Sequence, residues 1–208
     1  LPHVTQHDLA DVTEMEADRL KIKKLKQYRD IKISPLAYVI KACSSVLKDF
    51  EKINSSLSED GNSIILKSYI NIGFAADTEN GLVVPIIKDA DKKSLIEIAE
   101  ELLSLSLKAR AGKLSSDEMS GATFTISSLG GIGGTAFTPI INAPEVAILG
   151  LSRSTTQPVW NGSEFEPKLM LPLSFSYDHR VIDGAYAVRF TTALCDALKK
   201  ARNLSKKA

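Results

Sequence analysis

The chain has 208 residues, of which 44% are hydrophobic and 25% charged, and its formal net charge is +1. A chain of this length can bury a full hydrophobic core, as one large domain or two small ones. The near-neutral charge gives no reason to expect nucleic acid or an anionic membrane as a partner, and no apolar run is long enough to span a bilayer.

The N-terminal part is predicted to contain a strand followed by two helices. Residues 2–11 show weak alternation, typical of a strand, and 12–29 read as a charged helix. Thr13 and Glu16 have the spacing of a capping box at the start of that helix. Ser34 is expected to cap a second helix, whose apolar residues recur every three and four positions.

The middle of the chain predicts a hairpin, a helix and a further strand. Residues 69–77 and 81–88 alternate across a turn. Ser94 and Glu97 form a second capping box, which opens a helix ending near Gly112. After it, the segment 122–129 is rich in threonine, phenylalanine and isoleucine, which favours a strand.

The C-terminal part predicts two long extended runs and a final helix. Residues 145–159 and 165–177 are joined at Asn161 and Gly162, a hairpin signal, and the helix begins at Gly184. Hairpins mixed with long crossovers predict an α/β protein of the two-layer α+β sandwich type, with helices packed on a mixed sheet.

Histidine and cysteine usage gives no support for a metal site. His3 and His7 lie in the extended N-terminal segment and are expected to be surface or structurally satisfied residues. Cys43 and Cys195 lie in apolar surroundings and are expected to be buried free thiols.

The segment 178–184, Asp-His-Arg-Val-Ile-Asp-Gly, is the first place to look for chemistry. His179 stands between an extended run and a helix, and Asp183 follows four residues later. Histidine can both take and give a proton near neutrality. The competing interpretation is a structural histidine at a strand end, beside an ion pair of Asp178 and Arg180.

A glycine cluster follows the predicted strand 122–129. Gly131, Gly133 and Ala136 fit the spacing of a dinucleotide-binding turn. Pro139 and the absence of a helical stripe after the cluster leave no helix N-terminus for a pyrophosphate, so a nicotinamide cofactor is disfavoured.

Two other chemistries use His179 as a base. In a serine hydrolase, Ser127 or Ser128 would be the nucleophile, although the G-x-S-x-G elbow is missing. Alternatively, His179 removes the proton of a substrate thiol, the thiolate attacks a thioester, and Ser127 donates a hydrogen bond to the oxyanion.

Several segments resemble one known family. In addition to 178–184, the segments 71–75, 124–130 and 140–150 occur in the order found in the dihydrolipoamide acyltransferases, the cores of 2-oxo acid dehydrogenase complexes. The resemblance covers nearly the whole chain. It implies the fold of chloramphenicol acetyltransferase, in agreement with the mixed sheet predicted above.

The resemblance also implies a mechanism. His179 would be the general base that deprotonates the thiol of coenzyme A or dihydrolipoamide, in a direct acyl transfer without a protein nucleophile. Ser127 would hydrogen-bond the oxyanion and Asp183 would orient the site. Within a homotrimer, His179 would face Ser127 of a neighbouring subunit.

Contacts to coenzyme A are implied for three residues. Arg19 would lie near the nucleotide end, and Lys32 and Ser34 would precede the helix that lines the pocket. Ordinary surface charges and a helix cap are alternative roles for these residues. The resemblance implies no metal.

Local sequence favours acetyl transfer. The segments 133–139 and 157–160 are most similar to the acetyltransferases of bacterial pyruvate dehydrogenase complexes. In the family, these enzymes act in the step that follows glycolysis and form octahedral cores from trimers. Their partners are the pyruvate dehydrogenase and dihydrolipoamide dehydrogenase components. Succinyl or branched-chain transfer and a non-catalytic scaffold of the same fold remain alternatives.

Residues 1–208 are expected to form a single catalytic domain. Lipoyl and subunit-binding domains and the family's N-terminal arm are not found in it, so the lipoyl group would be carried on a separate domain. The expected location is the cytoplasm of a bacterium, or the mitochondrial matrix if the source is eukaryotic.

Overall fold

The computed structural model describes residues 1–206. Eleven strands are found in this range: β1 (His3–Asp11), β2 (Ser55–Leu57), β3 (Ile64–Leu66), β4 (Ile72–Phe74), β5 (Ala76–Thr78), β6 (Gly81–Val83), β7 (Ile86–Ile87), β8 (Phe124–Ser128), β9 (Ala147–Leu151), β10 (Thr155–Trp160) and β11 (Phe165–Asp178). The helices are α1 (Thr13–Lys23), α2 (Pro35–Val46), α3 (Leu95–Arg110), α4 (Gly184–Lys199) and α5 (Arg202–Ser205).

Seven strands form one mixed sheet. Their order is β1-β11-β9-β8-β4-β7, and β10 pairs with the first part of β11. The β4–β8 and β8–β9 pairs are parallel and the others are antiparallel. The predicted fold class, a mixed sheet with helices packed on it, is confirmed.

Strand β11 organises the sheet. It has 14 residues and pairs with β1 along one edge, with His3 opposite Asp178. Along its other edge, the C-terminal part pairs with β9, and Ser174 lies opposite Gly150. Because β11 is held on both sides as far as its last residues, the chain leaves the sheet at a fixed position.

The helices cover one face of the sheet and bury an aromatic cluster there. The Phe190 ring of α4 lies 4.9 Å from that of Phe175 on β11 and 6.0 Å from that of Phe124 on β8. All three side chains are fully buried. This packing fixes the start of α4 against the end of β11, where the histidine segment lies.

The two predicted capping boxes have different outcomes. The Ser94 hydroxyl accepts from the Glu97 N–H and the Glu97 carboxylate accepts from the Ser94 N–H, so the box at α3 is confirmed. The box at α1 is wrong, because Thr13 is already helical and its hydroxyl accepts from the N–H of Leu169. The helix itself ends at Lys23, earlier than predicted.

Cys43 and Cys195 are both free within residues 1–206. In this range no helix combines the length and apolar character that crossing a bilayer requires.

Candidate active site

His179 is the first residue after β11. Its backbone N–H donates to the carbonyl of Pro2 at 3.0 Å, which extends the β1–β11 pairing by one step. The side chain is exposed, and its ring centroid lies 6.1 Å from that of Tyr177. The backbone of the histidine is therefore fixed while its imidazole remains accessible to a substrate.

The residues on either side of His179 form an ion pair. Both Asp178 carboxylate oxygens accept from the Arg180 guanidinium, at 2.7 and 3.0 Å, and Asp178 is 1% exposed. Burial alone would raise the pKa of Asp178, but the hydrogen bonds and positive charge of Arg180 outweigh it and hold the pKa below its ordinary value. The Asp178–Arg180 ion pair of the competing structural interpretation is therefore present, and the histidine between the two residues is still accessible.

Asp183 is the N-cap of α4. Its carboxylate accepts from the N–H of Tyr186 at 2.9 Å, and its carbonyl accepts from the N–H of Ala187 at 3.0 Å. Burial, followed by the nearby Asp183 charge, raises the pKa of Tyr177. The acid of the histidine segment therefore anchors the turn that carries His179 to the start of the helix.

Ser127 lies near the C-terminal end of β8 and is half-buried. It pairs with Gly150 of β9, so the two residues face the same side of the sheet. A Cβ built on Gly150 would come within 2.5 Å of the Phe137 ring. Ser127 therefore belongs to the face covered by the Phe137 segment, opposite the aromatic core.

Ser127 and His179 do not meet within one chain. Ser127 shares a row of the sheet with Gly150 and Ser174, and His179 lies five residues beyond Ser174 along β11. At about 3.3 Å per residue, this places them roughly 17 Å apart along the strand direction. The Tyr177 ring beside His179 also belongs to the face that carries Phe175, opposite Ser127. A site that uses both side chains needs a second copy of the chain.

A cavity of about 370 Å³ lies between the start of α2 and the ends of β8 and β9. Its wall includes Ser34, Ser128 and Arg153, with apolar side chains such as Met15 and Val39. Ser34 occupies the N-cap position of α2, but its hydroxyl makes no cap bond, so its predicted capping role is wrong. The Oγ atom is buried and has no hydrogen-bond partner among residues 1–206.

Arg19 and Lys32 lie on either side of Ser34. The Arg19 guanidinium donates to Glu16 at 2.8 Å and to the carbonyl of Ile33 at 3.2 Å. The exposed Lys32 lines a smaller cavity of about 140 Å³ that also contains Ser34. The structure therefore brings the three residues predicted to bind coenzyme A together around the start of α2.

Two residues at these sites were missed by sequence reasoning. Arg153 donates to the carbonyl of Ile132 at 2.9 Å and so holds the glycine-rich loop after β8 against the cavity. Glu145 is a buried carboxyl that accepts from Thr125. Its sequence signal was its place directly after Pro144 in an otherwise apolar run, which predicts burial of a charged side chain.

The comparisons with known proteins agree on one family. Residues 1–205 match the family described as 2-oxoacid dehydrogenases acyltransferase (catalytic domain). The dihydrolipoyllysine-residue acetyltransferase component of the pyruvate dehydrogenase complex of Cupriavidus necator is 59% identical, over 92% of this chain and 34% of that protein. The chain spans about a third of the length of such curated relatives.

Two solved structures are similar throughout. The dihydrolipoamide acetyltransferase of Azotobacter vinelandii has a TM-score of 0.95 and 55% identity, covering 98% of this chain and 84% of that one. The cubic core of a pyruvate dehydrogenase multienzyme complex has a TM-score of 0.95 and 54% identity, with the same coverage. A chloramphenicol acetyltransferase shares the fold, with a TM-score of 0.66 and 15% identity over 95% of this chain and 89% of that one.

The Azotobacter structure was used to study a serine, a histidine and an asparagine in the catalytic mechanism of that enzyme. These three residues have the same spacing along that chain as Ser127, His179 and Asp183 have along this one. An aspartate thus stands here where the spacing places an asparagine. Both residue types can accept the backbone hydrogen bond of a helix N-cap.

Proposed function

The chain belongs to the 2-oxoacid dehydrogenase acyltransferase family, and from that premise we propose that it transfers an acetyl group between dihydrolipoamide and coenzyme A. The relatives named as acetyltransferases, up to 59% identical, support the acetyl group over a succinyl or branched-chain acyl group. The lipoyl group would be carried on a separate domain, as the resemblance implies.

The observation that carries this proposal is the placement of His179 and Ser127. The histidine is exposed at the end of β11, and the serine lies on the opposite face, roughly 17 Å away along the strands. In a ring of copies that meet head to tail, the histidine of one chain can face the serine of the next. Each interface then holds one complete site.

At such an interface, His179 takes the proton of the coenzyme A thiol. The thiolate attacks the carbonyl carbon of the acetyl thioester of dihydrolipoamide, and the Ser127 hydroxyl donates to the oxyanion that forms. When the oxyanion collapses, the bond from carbon to the lipoyl sulfur breaks, and this sulfur takes the proton from the imidazolium. Acetyl-coenzyme A and dihydrolipoamide result, and no bond to the protein forms.

The region around the start of α2 is suited to coenzyme A. The cavity of about 370 Å³ has apolar walls that suit a pantetheine chain, and Ser34, whose hydroxyl has no partner among residues 1–206, lies in its wall. Arg19 and Lys32 lie nearby and supply positive charge for phosphates. These three residues are proposed as coenzyme A contacts.

The proposed assembly is a homotrimer that builds a larger octahedral core. The similar structure from a cubic multienzyme core supports this arrangement. The pyruvate dehydrogenase and dihydrolipoamide dehydrogenase components are the proposed partners. Residues 1–208 are proposed to act as one catalytic domain, in the bacterial cytoplasm.

Acetyl transfer from acetyl-coenzyme A to free dihydrolipoamide tests the proposal. The unaltered chain should catalyse it, and His179→Ala should abolish it without changing the mass of the assembly. An assembled wild-type protein without activity would favour the alternative, a non-catalytic scaffold. Retention of most activity in the variant would show that His179 is not the base.

A further inference from the structure

Glu145 is a buried carboxyl that connects the strand carrying Ser127 to the end of the strand that precedes His179. The residue is 8% exposed and lies in the segment that leads into β9. The next carbonyl, that of Val146, accepts from the N–H of Asp178 at 2.8 Å. The backbone at Glu145 is therefore tied to the end of β11, one residue before His179.

The Glu145 side chain points to the serine strand. Its Oε1 accepts from the Thr125 hydroxyl at 2.6 Å. The Asn142 side-chain amide lies 3.5 Å from the same hydroxyl, and the N–H of Glu145 donates to the carbonyl of Asn142. This short network fixes the orientation of the carboxyl on β8.

The surroundings of Glu145 do not compensate a negative charge. A cavity of about 250 Å³ beside it is lined by Glu59, Asp178 and Arg180. Arg180 is already bound to both oxygens of Asp178. Burial raises the pKa of Glu145 to about 7, against the opposing effect of the Thr125 hydrogen bond.

Thr125 and Ser127 are two residues apart on β8 and face the same side of the sheet. The threonine is thus about 7 Å from the serine, and the carboxyl that contacts its hydroxyl at 2.6 Å lies roughly 10 Å from the serine, a distance at which two charges still interact. A carboxylate at this position opposes an oxyanion at Ser127, whereas an uncharged carboxylic acid does not.

We propose that Glu145 is a positioning residue of the acyl-transfer site, which works as an uncharged acid to hold Thr125 and the strand that carries Ser127. Loss of its proton places a negative charge behind the serine and slows transfer. The inference rests on the proposed function and adds a residue and a proton-controlled step to that site.

The test compares the pH dependence of acetyl transfer in the wild type and in Glu145→Gln, whose amide keeps the shape of the acid without its charge. The ratio of the two rates cancels the common effects of His179 and the substrate thiol. This ratio should fall by about fivefold between pH 6 and pH 8, because Glu145 loses most of its protons in this range and the ionised form is slowed by repulsion. A constant ratio would overturn the inference.

Glu59→Gln is the matched control, because Glu59 lines the same cavity but is exposed. Its rate relative to the wild type should not change with pH. Thr125→Val removes the hydrogen bond that lowers the pKa of Glu145, so the decline in its rate should begin at higher pH. An unshifted decline would also contradict the inference.

Infrared spectroscopy detects the protonated carboxyl directly and does not depend on enzymatic activity. The wild-type measurement requires no substitution. A protonated carboxyl C=O band should disappear from the wild type and from Glu59→Gln between pH 6 and pH 8, and should be missing from Glu145→Gln. If the wild type lacks this band at pH 6, the inference is wrong. If the band titrates but the wild type transfers no acetyl group at any pH, it is the proposed function that fails.

Discussion

The Asp183 carboxylate accepts a hydrogen bond from the N–H of Tyr186 at 2.9 Å, which makes it the N-cap of α4. This contact fixes the helix start against the turn that carries His179. The aspartate therefore holds the turn that precedes the helix.

The cap gives a first prediction. Asp183→Asn keeps an acceptor at the same position, so it should retain its stability, and its activity should be within a few-fold of the wild type. Asp183→Ala should lose about 1 kcal/mol of unfolding free energy. Chemical denaturation and steady-state kinetics measure both quantities. A large loss of activity in Asp183→Asn with unchanged stability would show that the negative charge itself acts in the reaction.

The Asp178–Arg180 pair should contribute to stability. Arg180→Ala leaves a buried carboxylate without its partner and should lower the unfolding free energy, by less than for a fully buried pair because the guanidinium is half-exposed. Lys168→Ala removes an ion pair with Glu166 in which neither partner is buried, and it should lower the unfolding free energy less than Arg180→Ala does. Equal losses of unfolding free energy in the two variants would contradict a larger stabilising role for the Asp178–Arg180 pair.

The same pair predicts a pH dependence. Because the folded state lowers the pKa of Asp178, its contribution to stability is present above the unfolded value, about 3.9, and is lost as the pH falls through the folded value. The difference in stability between the wild type and Asp178→Asn should therefore narrow below about pH 4. A difference that widens there would exclude this cause.

Ser127 and its neighbour Ser128 form a matched pair on opposite faces of β8. Ser127→Ala should lower kcat by about 10²–10³-fold with little change in KM, because it removes one hydrogen bond to the oxyanion. Ser128 lies in the wall of the proposed coenzyme A cavity, so any effect of Ser128→Ala should appear in the KM for coenzyme A, with kcat within a few-fold of the wild type. A defect of Ser127→Ala confined to KM would indicate a binding role instead.

The hydroxyls of Ser34 and Ser94 occupy equivalent N-cap positions but differ in their contacts. Ser94 caps α3 with a bond of 3.2 Å, so Ser94→Ala should lose about 1 kcal/mol without a change in KM for coenzyme A. The Ser34 hydroxyl makes no cap bond, so Ser34→Ala should keep its stability and raise that KM. If Ser34→Ala lost stability without a change in the KM for coenzyme A, Ser34 would have a purely structural role.

Local sequence predicted those features that depend on neighbouring residues. The cap at Ser94 and the hairpin at Asn161 follow from contacts within a few positions, and both are present. The caps expected at Thr13 and Ser34 failed because distant parts of the chain decide them. The Leu169 N–H of β11 donates to the Thr13 hydroxyl, and the buried Ser34 hydroxyl has no partner among residues 1–206.

The candidate site likewise combines features that local sequence predicts with features that depend on distant residues. His179 was predicted as the candidate base from its own segment, at the junction between a strand and a helix. The separation of His179 from Ser127 depends on strand order and register, which no local pattern gives. The environment of Glu145 was also out of reach, since Thr125 and Arg180 approach it from distant positions in the chain.

Complementation between two inactive chains tests the shared site most directly. Chains with His179→Ala and chains with Ser127→Ala are co-expressed in equal amounts, and acetyl transfer is measured on the mixed assembly. If each site takes its histidine from one chain and its serine from the next, roughly a quarter of the sites are complete, and activity should return to about that fraction of the wild type. Activity no higher than that of the two variants assembled separately would contradict a site built between copies.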